Sequence, residues 1–549
     1  MKSLKQYSLS LSLSLLIVGA SESRGQGPVP LSVMLHDPAP QAEARFGNDV
    51  LIVDLDADGI RDIAIGSPGY SVTLVTTPLV SAGQLVIRKG PILGPPSWTR
   101  ISEPVIAGVN PGPQANAEFG FRMVSGDFNA DGHIDVAVSA PGANIEFTGV
   151  FTQGEVFFLY GPWDLTVVAP ALPYSRAEVV REPVGQRNTL ADLHGDRFGQ
   201  RLAVGEVDLA TGLGIDLIVG APWSAVTVSG TRYQDRGQAW FFPGVSGMDS
   251  HLAVVEIPCT LLPHEQQFWG WDVECGNFYR EAEPDTDSCD VAVAAYGDPI
   301  AGSQCPIPPC PPNDSGQVRV FVDYPVNAFT VDVEIRGFDP GPTSNEGTFG
   351  WELAVGTSGR EEQPNCPPYF QTLAVGQPYQ PIAAPSAGRG VVWFFPGDPQ
   401  FGLMNNQNYF ILVNPATPSL SNYDRFGGGL EFLNYEGSGT IYVADELFVA
   451  SEWFDYGNPA ASGNHGEGRC FLIANSSSGY DQFLLTVDDP TPEERPQSEI
   501  NQFLAGWGSA AVTAGRVNSD QKEDVAIGNA SATYGMLTHA GEVRVVIWP

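Results

Sequence analysis

Two short stretches of the chain carry oxygen-bearing side chains at alternate positions, the spacing that lets short side chains converge on one hard cation. The first reads Asp54, Asp56, Asp58 and Asp62, with Gly59 allowing the turn; the second reads Asp127, Asn129, Asp131 and Asp135, with Gly132 in the same place. The seventh position of each, Ile60 or His133, offers a backbone carbonyl. The ligand logic is that of an EF-hand loop, but the distant bidentate Glu is missing and an apolar strand pattern follows in place of a helix. The competing reading is a plain Asp/Asn/Gly turn, since these residues favour turns without any metal. Three or four carboxylates within nine residues repel one another strongly when nothing sits among them, and this favours calcium over the bare turn.

A third loop keeps register with Asn518, Asp520 and Asp524 as candidate metal ligands but puts Arg516 where the first carboxylate belongs, so a cation and the guanidinium are alternatives there, and two or three of the seven loops are expected to hold metal. Glu206, Asp208 and Asp216 form a stretched variant with two extra residues, to which no metal is assigned. A second chemical feature is aromatic. Trp223, Tyr379 and Trp453 share one position, three residues after Gly220, Gly376 and Ala450, and Tyr70 falls one place later relative to Gly66. Aromatics at a common position can stack on sugars or anchor a protein partner, and they can equally cover strand ends as packing residues. Catalysis has no supporting motif: the seven His form no metal-type pair, and neither a nucleophile elbow nor a phosphate-cradling Gly-rich loop is visible.

These features recur because the chain repeats. Aromatic-Gly pairs fall at Phe46-Gly47, Phe119-Gly120, Phe198-Gly199, Trp269-Gly270, Phe349-Gly350, Phe426-Gly427 and Trp507-Gly508, 71 to 81 residues apart. After each pair come an apolar strand, a polar turn, a second strand ending near Gly-x-Pro, and a third that starts from Gly83, Gly154, Gly237, Gly316, Gly390, Gly468 or Gly541. A fourth, more polar strand precedes each aromatic-Gly pair. Such a sheet cannot bury both faces alone, and radial stacking solves that problem. The last unit stops after its third strand, while Pro30–Leu35 offers a spare strand at the other end of the chain. The expected fold is therefore all-β: a seven-bladed β-propeller of four-stranded antiparallel blades, closed by an N-terminal strand pairing with the last blade and so protecting both open edges.

The units, F-G, then D-x-[DN]-x-D-G-x-x-D, then G-A-P, resemble the FG-GAP repeats of the integrin alpha-chain N-terminal β-propeller over residues 29 to 549. The resemblance implies innermost first strands, cation loops between strands one and two on one face, and ligand-binding loops on the other. Integrin alpha chains continue into leg domains and a membrane span, whereas this chain shows neither, so integrin-type signalling is not carried over. FG-GAP units also accompany glycosylphosphatidylinositol-specific phospholipase D, whose separate catalytic domain finds no room here.

Composition narrows the rest. With 43% hydrophobic residues, 62 Gly and 46 Pro, the sequence is foldable and turn-rich. A formal charge of -36 repels nucleic acid and anionic membranes, leaving a solvated acidic surface and cation binding as its uses. Lys2 and Lys5, the apolar and serine-rich run Leu9 to Val18 and the small residues before Ala20 read as a signal peptide over residues 1–20, with residues 21–549 forming the propeller. A secreted, extracellular or cell-surface monomer without a membrane span is expected. Seven Cys lie between Cys259 and Cys470; the near pairs Cys275/Cys289 and Cys305/Cys310 could clip local loops, and the spacings match no zinc motif. The expected role is a calcium-binding adhesion-type module for a glycan or protein ligand. The alternatives are an exported carbohydrate-active lyase or hydrolase on the same scaffold, or a structural surface component.

Overall fold

The computed structural model of the chain describes residues 30–74, 77–144, 152–167, 171–183, 195–208, 213–251, 253–259, 263, 265–278, 289–295, 316–322, 329–336, 349–357, 371–378, 390–397, 410–413, 426–433, 446–451, 469–476, 479–488, 511–518, 520 and 522–548. The expected signal peptide, Tyr379 and Trp453 lie outside them. Among the described residues all regular structure is β, and no helix is present that is long and apolar enough to cross a membrane.

Seven four-stranded antiparallel sheets form the blades of a β-propeller, as the repeat predicts. Blade 1 comprises Val50–Val53, Asp62–Ser67, Gln84–Arg88 and Trp98–Ile101; blade 2 comprises Met123–Gly126, Asp135–Ala140, Glu155–Tyr160 and Arg176–Val180. The first strands of blades 3 to 7 are Arg201–Gly205, Trp269–Gly276, Leu353–Thr357, Phe426–Leu433 and Val512–Gly515. Each first strand touches that of the next blade, and Val50–Val53 touches Val512–Gly515, so the ring closes. Closure uses the expected strand: Leu31–Leu35 runs antiparallel to Glu542–Ile547, with Leu31 opposite Ile547 and Leu35 opposite Val543.

The core is a set of seams. Each apolar cluster draws on two neighbouring blades, as where Leu85 and Ile87 of blade 1 meet Val136 and Val138 of blade 2, or Phe448 and Leu472 of blade 6 meet Val525 and Val546 of blade 7. A strand between two such seams is apolar on both faces, which explains why second strands such as D-I-A-I-G-S and D-V-A-V-S-A are buried at every position and show no alternation. Fourth strands, at the outer edge, are half-buried and more polar.

The aromatic-Gly pair staples neighbours together. Phe46, Phe119, Phe198, Trp269, Phe349 and Phe426 are fully buried, and each backbone reaches back to the preceding blade. Phe119 N donates to the Ala82 carbonyl at 3.0 Å, and Phe119 bridges Gly83 in parallel. Gly83 has a φ of 86°, and a Cβ there would overlap the Phe119 carbonyl, so the recurring glycine before each third strand is the condition for this approach. The same bridge between Phe46 and Gly541 joins blade 1 to blade 7.

Candidate functional site

The first acidic loop leaves strand Val50–Val53 as a tight turn. Ala57 and Gly59 take positive φ of 55° and 85°, and Asp54 caps the turn by accepting from Asp58 N at 3.1 Å and Gly59 N at 2.9 Å. Asp58 in turn accepts from Ile60 N at 2.9 Å. The second loop repeats this: Asp127 accepts from Asp131 N at 3.1 Å and Gly132 N at 2.8 Å, and Asp131 from His133 N at 2.9 Å. One carboxylate oxygen from each of Asp54, Asp56 and Asp58 lies within 4.8 Å of the other two. Asp56 Oδ1 is buried there with no hydrogen-bond partner. The third loop keeps the turn, with Asp520 N donating to Asn518 Oδ1 and Lys522 N to Asp520 Oδ1 at 2.8 and 3.0 Å.

The ninth-position aspartates sit deeper. Asp62 accepts from Leu55 N at 3.1 Å and Gly90 N at 2.9 Å; Asp135 from Phe128 N at 3.0 Å and Gly161 N at 2.8 Å; Asp524 from Val517 N and Trp548 N, each at 2.9 Å. Each carboxylate therefore ties the loop to the end of the third strand. Asp216 makes the same brace with Val207 N and Gly244 N, and Asp290 accepts from Phe278 N, in blades without an intact ligand pattern. Burial pushes the Asp62, Asp216 and Asp524 carboxyls up to about 6 and Asp135 up to about 7, against the pull of the amides that donate to them.

A residue that the loop pattern does not contain reaches into the first loop. The Lys89 ammonium contacts Asp56 and lies 3.0 Å from Asp58 Oδ2. Burial works against its charge, but the two carboxylates outweigh that and hold the ammonium above its ordinary value. Lys89 also depresses the Asp58 carboxyl.

On the opposite face, where first strands begin and second strands end, aromatic rings run across blades 3, 4 and 5. Trp223 meets Phe268 at 5.0 Å between ring centroids, Phe268 meets Trp271 at 6.2 Å, and Trp271 meets Trp351 at 5.1 Å. The three indoles are half-buried. Trp223 thus belongs to an extended aromatic surface. Tyr70 is held differently: its hydroxyl accepts from Arg100 at 3.2 Å and the guanidinium lies over its ring. Trp271 and Trp351 escaped sequence reasoning, although both occupy the position just after an aromatic-Gly pair, as Phe121 does.

One residue further on stand Asp49, Arg122, Arg201, Asp272 and Glu352. Arg201 pairs with Asp272 at 3.2 Å and Glu352 at 3.1 Å, and Arg122 with Asp49 at 3.3 Å. Asp49 and Asp272 also accept from the next blade's Met123 N and Leu353 N, at 2.6 and 2.7 Å. Burial raises both carboxyls, and Arg201 opposes it. These charges brace the innermost strands. Cys275, in the first strand of blade 4, and Cys289, just before its second strand, are free thiols among the described residues, pushed up by burial; Cys305 and Cys310 lie outside the described residues.

Comparison with known proteins fits this geometry. The family model described as FG-GAP repeat matches residues 46–87 and 119–159, the regions of blades 1 and 2 that carry the two intact loops. Phosphatidylinositol-glycan-specific phospholipase D of Dictyostelium discoideum is 26% identical over 311 residues, 54% of this chain and 28% of its own length. Integrin alpha-IIb of Mus musculus is 29% identical over 182 residues, 33% of this chain and 15% of its own. The Rattus norvegicus phospholipase D is 34% identical over 119 residues, 22% and 13% of the two chains. The chain spans less than a third of the length of these curated relatives.

Proposed function

We propose that this FG-GAP-repeat propeller, similar to integrin alpha-IIb and to phosphatidylinositol-glycan-specific phospholipase D, is an extracellular binding module that takes a glycan or protein ligand on the face away from its acidic loops. The observation that carries the reading is the run Trp223, Phe268, Trp271 and Trp351, in which three half-buried indoles are joined through the buried Phe268 ring into a continuous aromatic platform. Aromatic surfaces of this kind anchor sugars and proteins at low conformational cost. The inner carboxylates Asp49 and Asp272 are tied to arginines and backbone amides, which supports a bracing role over the acid-base pair that a carbohydrate-active enzyme needs.

Calcium belongs to the same proposal. The donor set of the first loop is all oxygen, as a hard cation requires, and Asp56 keeps its Oδ1 buried and unbonded among the described residues although Lys89 contacts its other oxygen. Asp54, Asp56, Asp58 and Asp62 would hold the ion in blade 1, with the Ile60 carbonyl, and Asp127, Asn129, Asp131 and Asp135 in blade 2, with that of His133. The ion supplies charge neutralisation. The Asn518, Asp520 and Asp524 loop has Arg516 and Lys522 within it, two positive charges that weigh against a third ion.

A glycan array and a panel of extracellular protein fragments, each screened with wild type and the Trp271→Ala and Trp351→Ala variants, test the ligand reading. Loss of a central aromatic anchor is expected to weaken binding roughly 30-fold. A ligand held equally by all three proteins moves the site elsewhere, and cleavage of a bound glycan rejects the module in favour of the enzyme. For calcium, chelator is expected to lower the melting temperature, and Asp56→Ala combined with Asn129→Ala to shrink that effect; a melting curve indifferent to chelator removes calcium from the account.

A further inference from the structure

The two intact loops share a turn but differ in charge, and the difference is compensated by a residue outside the loop. At the first, third and fifth positions blade 1 has Asp54, Asp56 and Asp58, while blade 2 has Asp127, Asn129 and Asp131. In blade 2 the Asn129 amide donates to Asp131 Oδ2 at 3.0 Å. In blade 1, where the third position is a carboxylate, Lys89 Nζ stands 3.0 Å from the matching oxygen of Asp58 and also contacts Asp56. With its ammonium counted, both loops carry two net negative charges at these positions.

The placement of Lys89 is built in. It directly precedes Gly90, whose N–H donates to Asp62 Oδ1 at 2.9 Å, so its backbone is fixed to the base of the loop. The matching amide of blade 2 is Gly161, bound to Asp135 Oδ1 at 2.8 Å, and the residue before it is Tyr160. Tyr160 turns away from the acidic loop: its hydroxyl bonds Glu178 at 2.9 Å and His251 at 3.0 Å.

We infer that Lys89 is a tethered cation that competes with a divalent ion for the first loop, so that the two loops fill unequally: the second binds first, and the first binds only as the ammonium is displaced from Asp56 and Asp58. The inference rests on the calcium reading above and adds to it a residue that sets the affinity of one site. It also gives Lys89 a role without metal, since its charge lowers the repulsion among three clustered carboxylates. Removing it raises calcium affinity and weakens the calcium-free fold, two effects of opposite sign.

Calorimetric titration of calcium into the full, metal-stripped chain tests this. Wild type is expected to bind in two steps separated by at least tenfold, with Asp127→Asn abolishing the tighter and Asp54→Asn the weaker. Lys89→Met should tighten the weaker step tenfold or more, and Lys89→Arg should leave the separation intact. Lys89→Gln, which supplies an uncharged donor as Asn129 does, is the second variant should Lys89→Met fail to fold, and the same gain is expected. Denaturant midpoints in chelator should fall for Met and Gln and hold for Arg. If the Lys89→Met or Lys89→Gln isotherm superimposes on wild type while Asp54→Asn still removes a step, the competition is refuted and the calcium reading survives. If neither wild type nor any Lys89 variant binds calcium, both fall together.

Discussion

Asp135 can act as a calcium ligand or as a brace between loop and strand, and the roles separate cleanly in the absence of metal. Its two oxygens accept from Phe128 N at 3.0 Å and Gly161 N at 2.8 Å, and the side chain is inaccessible to solvent. Asp135→Ala leaves two buried amides without partners, each costing about 1–3 kcal/mol, hence about 2–6 kcal/mol together. Part of this is recovered, because the carboxyl, pushed up to about 7 by burial, is itself costly to hold ionised at neutral pH. The expected loss is therefore in the lower half of that range, about 2–4 kcal/mol. Urea unfolding in chelator at pH 7, followed by tryptophan fluorescence, reads it directly. Asp131→Ala is the control: Asp131 is exposed at the rim of the same turn, and its loss should cost little in chelator while removing most of the calcium-dependent gain. If Asp135→Ala unfolds within about 0.5 kcal/mol of wild type in chelator, the brace is idle and the amides find other partners.

Gly83→Ala should destabilise by about 2–6 kcal/mol, since it adds a Cβ at a φ of 86° and drives it into the Phe119 backbone of the next blade; denaturant midpoints check this, and a wild-type midpoint would mean that the seam can open at no cost. Beginning the chain at residue 36 removes the strand Leu31–Leu35 and leaves Glu542–Ile547 as an open edge. Light scattering should show concentration-dependent association and thermal scans a lower melting point, whereas a stable, monomeric truncation would disprove closure by that strand. The calcium-free protein should melt higher at pH 5 than at pH 8. Asp62, Asp135, Asp216 and Asp524, raised from 3.8 to about 6–7, bind protons in the folded state that the unfolded chain releases, so stability grows as pH falls through that window. Glu118, where burial is overcome by the Arg197 and Arg45 guanidiniums and the carboxyl is held below its ordinary value, withdraws its support only in more acid solution. A melting temperature that rises steadily with pH in chelator would contradict this balance.

The architecture was legible because each unit repeats its own physical problem. A second strand such as D-L-I-V-G-A is buried at every position, so it stands out as an unbroken apolar run, and the glycine before each third strand recurs because a neighbour's backbone lies against it. Closure was legible for the same reason: an unpaired strand at one end and a missing one at the other leave two edges that only each other can cover. The aromatic platform was half visible. Trp223 marks it, but Phe268, Trp271 and Trp351 reach it from the starts of other blades, and only the curvature of the ring brings those positions together.

The ninth-position aspartate shows how one residue type can carry two meanings. Sequence reasoning counted Asp62, Asp135 and Asp524 as ligands because they end the oxygen pattern, yet Asp216 and Asp290 open the second strands of blades in which that pattern has broken down. A residue kept where its proposed partner is lost must have another partner. The structure supplies it: all five accept from loop amides, and among the described residues Asp62, Asp135, Asp216 and Asp524 are seen to reach the end of the third strand as well. In blades 1 and 2 the brace holds the acidic loop in shape, so the cation site proposed there would sit on a joint the fold already needs. Lys89 makes the complementary point. It lies 33 residues from Asp56, beyond any window in which a loop motif is read, and it is the brace between Asp62 and Gly90 that brings it in. The charge of a loop in this fold is therefore a property of the blade, set jointly by the turn and by the strand end pinned beneath it.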